Sequence, residues 1–351
     1  MAGCREVSVP GTDETEPILV VEGVFTSMPG QHEVKLSYTC SFNERPYFPY
    51  EENAIVEIED EDGNIIPFYH VGFSLYRSDS NDTCYAEPGK TYVLRIITPD
   101  GEVYESWPQT VLESPEISEL ECRLDHEMVL VENINGDYRE VNYNGIQIMS
   151  GTKGSLPAKN YYLYRWIAYE QHLFVVVGPG GSVYLYSHRK LNGKYTNIIR
   201  TGNADEFSDF EIRDHNMVFI PTVYLTDYNP LLLEPPSFTR FQGLIYKLEQ
   251  WSLSDNAYLF WRDAELQLAA GGRLFDPVAP RLKGNIRCVS DSTKVVIGIF
   301  NASHISEKYA YFYIDYTGNN ETTSMEIDGF PQLYLDSSYH EGMPDDWISV
   351  P

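Results

Sequence analysis

Three features of the sequence predict a mainly β protein. Aromatic residues make up 14 % of the 351 positions and are led by 27 Tyr; 25 Gly and 21 Pro interrupt the chain at short intervals. Between the interruptions lie short runs in which apolar and polar residues alternate. Aromatic and β-branched side chains suit pleated, half-buried surfaces, while Gly and Pro supply the turns between them. At about 150 residues per domain the length corresponds to about two domains. The expected architecture is an N-terminal immunoglobulin-like or transthyretin-like sandwich, followed by a second β-rich domain with one clear helix.

Residues 1–16 are polar and carry Pro and Gly, as a flexible tether does. The first domain, 17–115, opens with the strand Ile18–Gly23, and Glu33–Tyr38 and Ala54–Glu59 follow with period two. Asp62-Gly63-Asn64 then joins two strand-like runs, which is a hairpin signal. The oxygen-rich stretch Asp60–Asn64 lacks the downstream ligand spacing of a calcium loop, so the turn reading is preferred. Pro99-Asp100-Gly101 marks a second hairpin between Pro88–Ile97 and Glu102–Tyr104. Six or so short strands about ten residues apart describe the sandwich.

The second domain, 116–351, is less regular at its start. Asn160–Ala168 and Leu173–Val177 are strands, and the latter turns at Gly178-Pro179-Gly180-Gly181 into Val183–Tyr186. Gly243–Glu249 is another strand. The helix spans 254–270: Ser254 or Asp255 caps it, Tyr258, Trp261, Leu266 and Ala269 recur near helical spacing, and Gly271-Gly272 stops it. Lys294–Phe300 and Tyr309–Ile314 are the last long strands, and the tail after Asp315 reads as acidic and irregular.

Charge excludes some partners. Lys+Arg total 25 against 52 Asp+Glu, a net charge of −27, which repels phosphate backbones; no nucleic-acid partner is expected. No window approaches 18 consecutive apolar residues, so no helix is expected to span a membrane. Catalytic templates fail as well: the chain has no G-x-S-x-G elbow, no phosphate-binding G-x-x-x-x-G-K-[ST] and no H-E-x-x-H. His126-Glu127 and His340-Glu341 begin such a zinc motif without the second His. Acidic pairs such as Glu51-Glu52 are adjacent in sequence, which does not set two carboxylates across a scissile bond. No enzyme activity, catalytic residue, cofactor or metal is expected.

Five cysteines occur, at 4, 40, 84, 122 and 288. Cys4 follows Met1-Ala2-Gly3, and small residues before a cysteine near the terminus fit bacterial lipidation after removal of a signal; an ordinary terminal cysteine is the other reading. The remaining four form disulfides or stay as thiols. In an oxidising compartment Cys40–Cys84 is the favoured pair, closing about 44 residues for up to about 4 kcal/mol. Two aromatic strips stand out: Tyr162, Tyr164 and Trp166 on one strand face, and Tyr309, Tyr311 and Tyr313 on another. Each either packs into the core or offers flat rings to a sugar, peptide or chelator.

A longer pattern runs through both domains. Leu19–Gly23, Val34–Ser37, Ala54–Ile58, Asp62-Gly63 and Gly89–Ile96 are followed by Phe241–Ser254, Ala257–Trp261, Gly272–Pro277, Gly284-Asn285-Ile286 and Gly298–Ser303. This order resembles the Bacteroidota outer-membrane lipoproteins grouped as domain of unknown function 4249. The resemblance implies lipidation of Cys4, a lipid-anchored place on the outer membrane facing the cell exterior, and a TonB-dependent transporter as partner. The stretch after Cys4 departs from the family in lacking a dense acidic run. No catalytic motif comes with the resemblance. The expected function is therefore a surface-tethered accessory subunit that captures a small nutrient ligand and hands it to the transporter. The alternatives are a structural interaction module, touching the partner through first-domain hairpins without contacting ligand, and, less favoured, a hydrolase whose site is hidden by sequence order.

Overall fold

The computed structural model describes residues 16–40, 49–79, 84–132, 138–156, 160–178, 181–191, 197–201, 208–221, 237–269, 282–315, 321–327, 340–341 and 348. In chain order, the strands are β1 (Leu19–Thr26), β2 (Glu33–Tyr38), β3 (Ile55–Asp60), β4 (Ile65–Gly72), β5 (Leu75–Ser78), β6 (Thr91–Ile97), β7 (Val103–Ser106) and β8 (Gln109–Thr110). Then come β9 (Ile117–Glu132), β10 (Tyr138–Leu156), β11 (Asn160–Gly178), β12 (Gly181–Leu191), β13 (Asn197–Thr201), β14 (Ser208–Pro221) and β15 (Ser237–Leu253). Helix α1 (Asp255–Ala269) precedes β16 (Ile286–Cys288), β17 (Val296–Ser303), β18 (Ile305–Asp315), β19 (Glu321–Glu326) and β20 (His340–Glu341). The fold is mainly β, as the aromatic content and alternation predict.

The chain divides into two units, Met1–Glu113 with Ser252–His304 and Ser114–Trp251 with Ile305–Pro351. Ser252–His304, helix included, therefore joins the first unit, whereas sequence order placed it in the second domain. The physical reason is a parallel pairing of β17 with β1, from Leu19↔Val296 to Thr26↔Ser303.

In the first unit, hydrogen bonding runs along one continuous path, β16-β7-β6-β3-β4-β5-β2-β1-β17, with β8 beside β6. Alternation along β1, β2, β3, β4 and β6 sends Leu19, Val21, Val34, Leu36, Val56, Ile58, Phe68, Leu94 and Ile96 into a single core, and β17, buried throughout from Gly298 to Ser303, adds Phe300. The two ends of the path meet where the Asn285 main-chain N donates to Gly298 O at 3.2 Å. Glycine is required at this join. A Cβ on Gly284 would lie 1.7 Å from Gly298 O, and one on Gly298, at φ +136°, would lie 1.9 Å from Val21 O. The Asn285 side chain then acts as a fragment of strand: Nδ2 donates to Phe300 O at 2.7 Å and Oδ1 accepts from Phe300 N at 2.8 Å. Ser254 caps α1 by accepting from Ala257 N at 3.2 Å.

The second unit holds a three-stranded sheet, β14-β10-β9, and a seven-stranded sheet, β19-β18-β15-β11-β12-β20 with β13 beside β11. Ile117, Leu120, Ile146 and Ile148 of the smaller sheet pack with Tyr162, Tyr164, Leu244, Tyr246, Leu248 and Phe312 of the larger. β9 and β10 are a long hairpin where the sequence pattern looks irregular. A register shift between Gly151 and Thr152 leaves Ile117 and Leu120 both buried three positions apart, which breaks period two. The tail is not wholly irregular either: β19 pairs with β18 from Asp315↔Glu321 to Ala310↔Glu326.

Candidate functional site

The aromatic strip of β11 is core. Tyr162 and Tyr164 are fully buried, and Trp166 is half-buried with its ring stacked on Tyr246 at 5.7 Å and 19°. These rings are spent on packing the two sheets of the second unit and cannot stack a ligand. Tyr311 is buried on the opposite face of the large sheet, clustered with Tyr169 and Ile245, and its ring stacks on that of half-buried Tyr313 at 6.1 Å. Burial pushes the Tyr162, Tyr164 and Tyr311 phenols well above their ordinary range. Tyr309 is half-buried and donates its hydroxyl to Glu307. Burial first, then the hydrogen bond and charge of Glu307, push it up to about 12.

The buried polar groups around these rings are engaged structurally. Gln250 is fully buried; its Oε1 accepts from Thr152 Oγ1 at 2.6 Å and from Tyr164 Oη at 2.7 Å. Its Nε2 donates to Ser114 Oγ at 2.9 Å and to Pro115 O at 2.8 Å. An amide satisfied on all four sides has no spare capacity for acid or base work. Lys247 lies between two carboxylates, 2.8 Å from Glu249 and paired also with Glu307. Trp251 Nε1 donates to Glu249 at 3.0 Å, and the Arg165 guanidinium sits 4.3 Å over the Trp251 ring. Burial lowers the Lys247 pKa, but the hydrogen bonds and charges of Glu249 and Glu307 outweigh it and hold the ammonium above its ordinary range. Glu249 and Glu307 are thus bound to one cation and do not form the open carboxylate pair of a glycosidase.

A concavity of about 250 Å³ lies between β9, β18 and β19, lined by Glu119, Glu121, Lys308, Tyr309 and Glu326 among others. Lys308 spans it to Glu326 at 3.0 Å. Among the described residues, no cluster of three or more His, Cys, Asp or Glu is placed to hold a metal ion.

Cys4 lies outside the described residues. Cys40 is half-buried and Cys84 exposed, and their sulfurs are not bonded to one another. The first-unit core closes through strand pairing and the Asn285 join, without that covalent link.

The feature not expected from the sequence is an apolar corner on the first unit. Val56, Phe68 and Tyr76 point inward, so Ile55, Tyr69 and Val71 point outward, and all three are exposed. At the β4–β5 turn Gly72 has φ +129° and Phe73 φ +50°, and Phe73 is 79 % exposed. The Tyr50 ring meets it edge-on at 5.9 Å, and His70 Nε2 lies 2.7 Å from Phe73 O. The signal was available in Ile65-Ile66-Pro67-Phe68-Tyr69-His70-Val71-Gly72-Phe73, where apolar residues occupy both parities of one strand.

The family described as Domain of unknown function (DUF4249) matches residues 5–309. No curated protein and no solved structure matches the chain.

Proposed function

Because the chain belongs to the DUF4249 family, we propose that it is a non-catalytic, lipid-anchored accessory subunit of a TonB-dependent outer-membrane transporter that works by protein contact. The observation that carries this reading is the contrast between the two kinds of aromatic surface. Tyr162, Tyr164 and Tyr311, the residues best suited to ligand stacking, are core, whereas Tyr69, Val71 and Phe73 of the first unit are exposed. Soluble monomers rarely present large contiguous apolar patches without a binding role. Lipidation at Cys4 supplies the anchor, and the negative charge turns nucleic acid away. Capture and hand-over of a small ligand loses Tyr162, Tyr164 and Tyr311 from the six stacking residues that were its basis in the sequence.

The test is affinity purification of the full-length chain from native membranes, with mass spectrometry of proteins and small molecules. A transporter barrel in near-stoichiometric amount supports the reading. Recovery without any outer-membrane protein refutes it, and a stoichiometric small molecule without a barrel would return the chain to ligand capture.

A further inference from the structure

The apolar corner on β3, β4 and β5 combines two features that are unfavourable for the isolated chain. Phe73 holds a positive φ, where a bulky side chain is strained and Gly or Asn is the usual occupant. It also leaves 79 % of its surface in water. Neither feature serves the core, which is closed beneath it by Val56, Phe68 and Tyr76. Backbone strain of this kind persists where the surrounding structure enforces it, and it clusters at functional positions. Here the His70 contact to Phe73 O and the Tyr50 ring hold the turn.

The patch has acidic neighbours. Ile55 faces Ile97 across the β3–β6 ladder, so the apolar row is set by strand register rather than by a loop. Beside it stand Glu51 and Glu52 before β3, and Glu57 and Glu59 on the outward side of β3. Two cations stand beside it with counter-ions of their own: Arg77 pairs with Glu33 at 2.7 Å, and Arg95 lies 3.8 Å from Glu57 and 3.9 Å from Glu105, so Glu57 is offset and the rim charge rests on Glu51, Glu52 and Glu59.

We infer that this corner is the docking surface for a different protein chain whose contact patch is apolar at its centre and rimmed by Lys and Arg, with Phe73 as the central anchor. This rests on the protein-contact reading above and specifies the site and the chemistry of its partner. Complementary rims steer association and reject wrong partners, while a desolvated aromatic at the centre supplies the binding energy. A second copy of this chain would set two acidic rims against each other. An anionic bilayer would do the same, and a zwitterionic one offers the acids no matching charge.

The experiment places a photoreactive benzophenone amino acid at position 73, with Thr110 on the same unit as control, in the full-length chain in native membranes. The expected result is a heteromeric adduct from position 73 alone, mapping to an apolar segment flanked by Lys or Arg. Phe73→Ser should lower partner recovery at least tenfold while leaving the thermal midpoint of the purified chain unchanged or raised. Glu52→Lys with Glu59→Lys, or raising salt from about 50 mM to about 500 mM, should lower it at least threefold. Full recovery with Phe73→Ser overturns the inference but leaves the protein-contact reading standing. So does salt-independent recovery, an adduct to a second copy, or Phe73-dependent sedimentation with phosphatidylcholine–phosphatidylglycerol vesicles. Absence of any partner from the wild-type chain refutes the broader reading instead.

Discussion

Two tyrosines in one core should respond in opposite directions to loss of a hydroxyl. Among the described residues Tyr246 Oη is buried with no hydrogen-bond partner, and burial raises its pKa well above the ordinary value. Tyr164 Oη, in the same cluster, donates to Gln250 Oε1 at 2.7 Å. A buried polar group left unsatisfied costs about 1–3 kcal/mol, and a satisfied bond contributes about 1 kcal/mol. Tyr246→Phe keeps the ring, its stack on Trp166 and its packing on Phe312, and removes only the penalty. It should stabilise the second unit by about 1 kcal/mol. Tyr164→Phe should destabilise it by about 1 kcal/mol and no more, because Thr152 still donates to Gln250 Oε1. Gln250→Ala should cost about 3 kcal/mol or more, since the Thr152 and Tyr164 hydroxyls lose their shared acceptor and Pro115 O loses its donor. Urea unfolding of each variant, followed by circular dichroism with the second-unit transition fitted separately, measures all three. A loss of 1 kcal/mol or more for Tyr246→Phe would refute the reasoning, because it would mean that the hydroxyl is bonded.

Asn285→Ala should destabilise the first unit by about 2–4 kcal/mol, because both main-chain groups of buried Phe300 lose their partner; Asn285→Asp, which sets a buried carboxylate oxygen against Phe300 O, should not recover it in the same unfolding assay. Stability should fall steeply above about pH 10. Buried phenols such as Tyr104, which burial pushes up to about 12, keep their protons in the fold where the unfolded chain releases them. The unfolded state therefore binds fewer protons in that window, and each such group contributes a slope of about −1.4 kcal/mol per pH unit. Tyrosinate absorbance reaching the full amplitude of all 27 Tyr well below the alkaline unfolding midpoint would contradict this. Cys4→Ser, expressed with a signal peptide, should move the chain into the soluble fraction, since the multiple acyl chains of a lipoprotein supply the anchorage. Membrane retention of that variant without its partner would count against lipidation at Cys4.

Local chemistry made some elements legible and distance hid others. The turn at Asp60–Asn64 is readable because Asp60 Oδ1 accepts from Asp62 N at 3.0 Å and Asn64 N at 2.8 Å, while Gly63 takes φ +82°. Pro99-Asp100-Gly101 is readable for the same reason, with Gly101 N bonded to Thr98 O at 2.9 Å. β11 and β12 pair in register up to Gly178↔Gly181, while Pro179 and Gly180 lie outside the described residues. The β1–β17 pairing has no local signature, because its two strands are distant in sequence and meet only in the folded chain. The β9–β10 hairpin was obscured by a bulge that changes parity between Ile117 and Leu120. Burial was the hardest property to read. Tyr162 and Tyr164 look alike whether they face core or solvent, and only the β9–β10 sheet laid over them decides it.

The residues that carry the family resemblance do structural work, and this bears on where function lies. Gly284, Asn285 and Gly298 form the join at the ends of the first strand path, and Ser254 caps the helix. Leu19, Val21 and Val34 fill the core around them. Such positions are dictated by backbone contact, so a variant there reports on folding and not on recognition. Recognition must fall to side chains that the fold itself does not need. The β4–β5 corner meets that condition, because Tyr69, Val71 and Phe73 could each be polar without disturbing Phe68 or Tyr76 beneath them. An apolar outward row on a strand that follows the inward rule at every buried position is explained by a second surface that covers it.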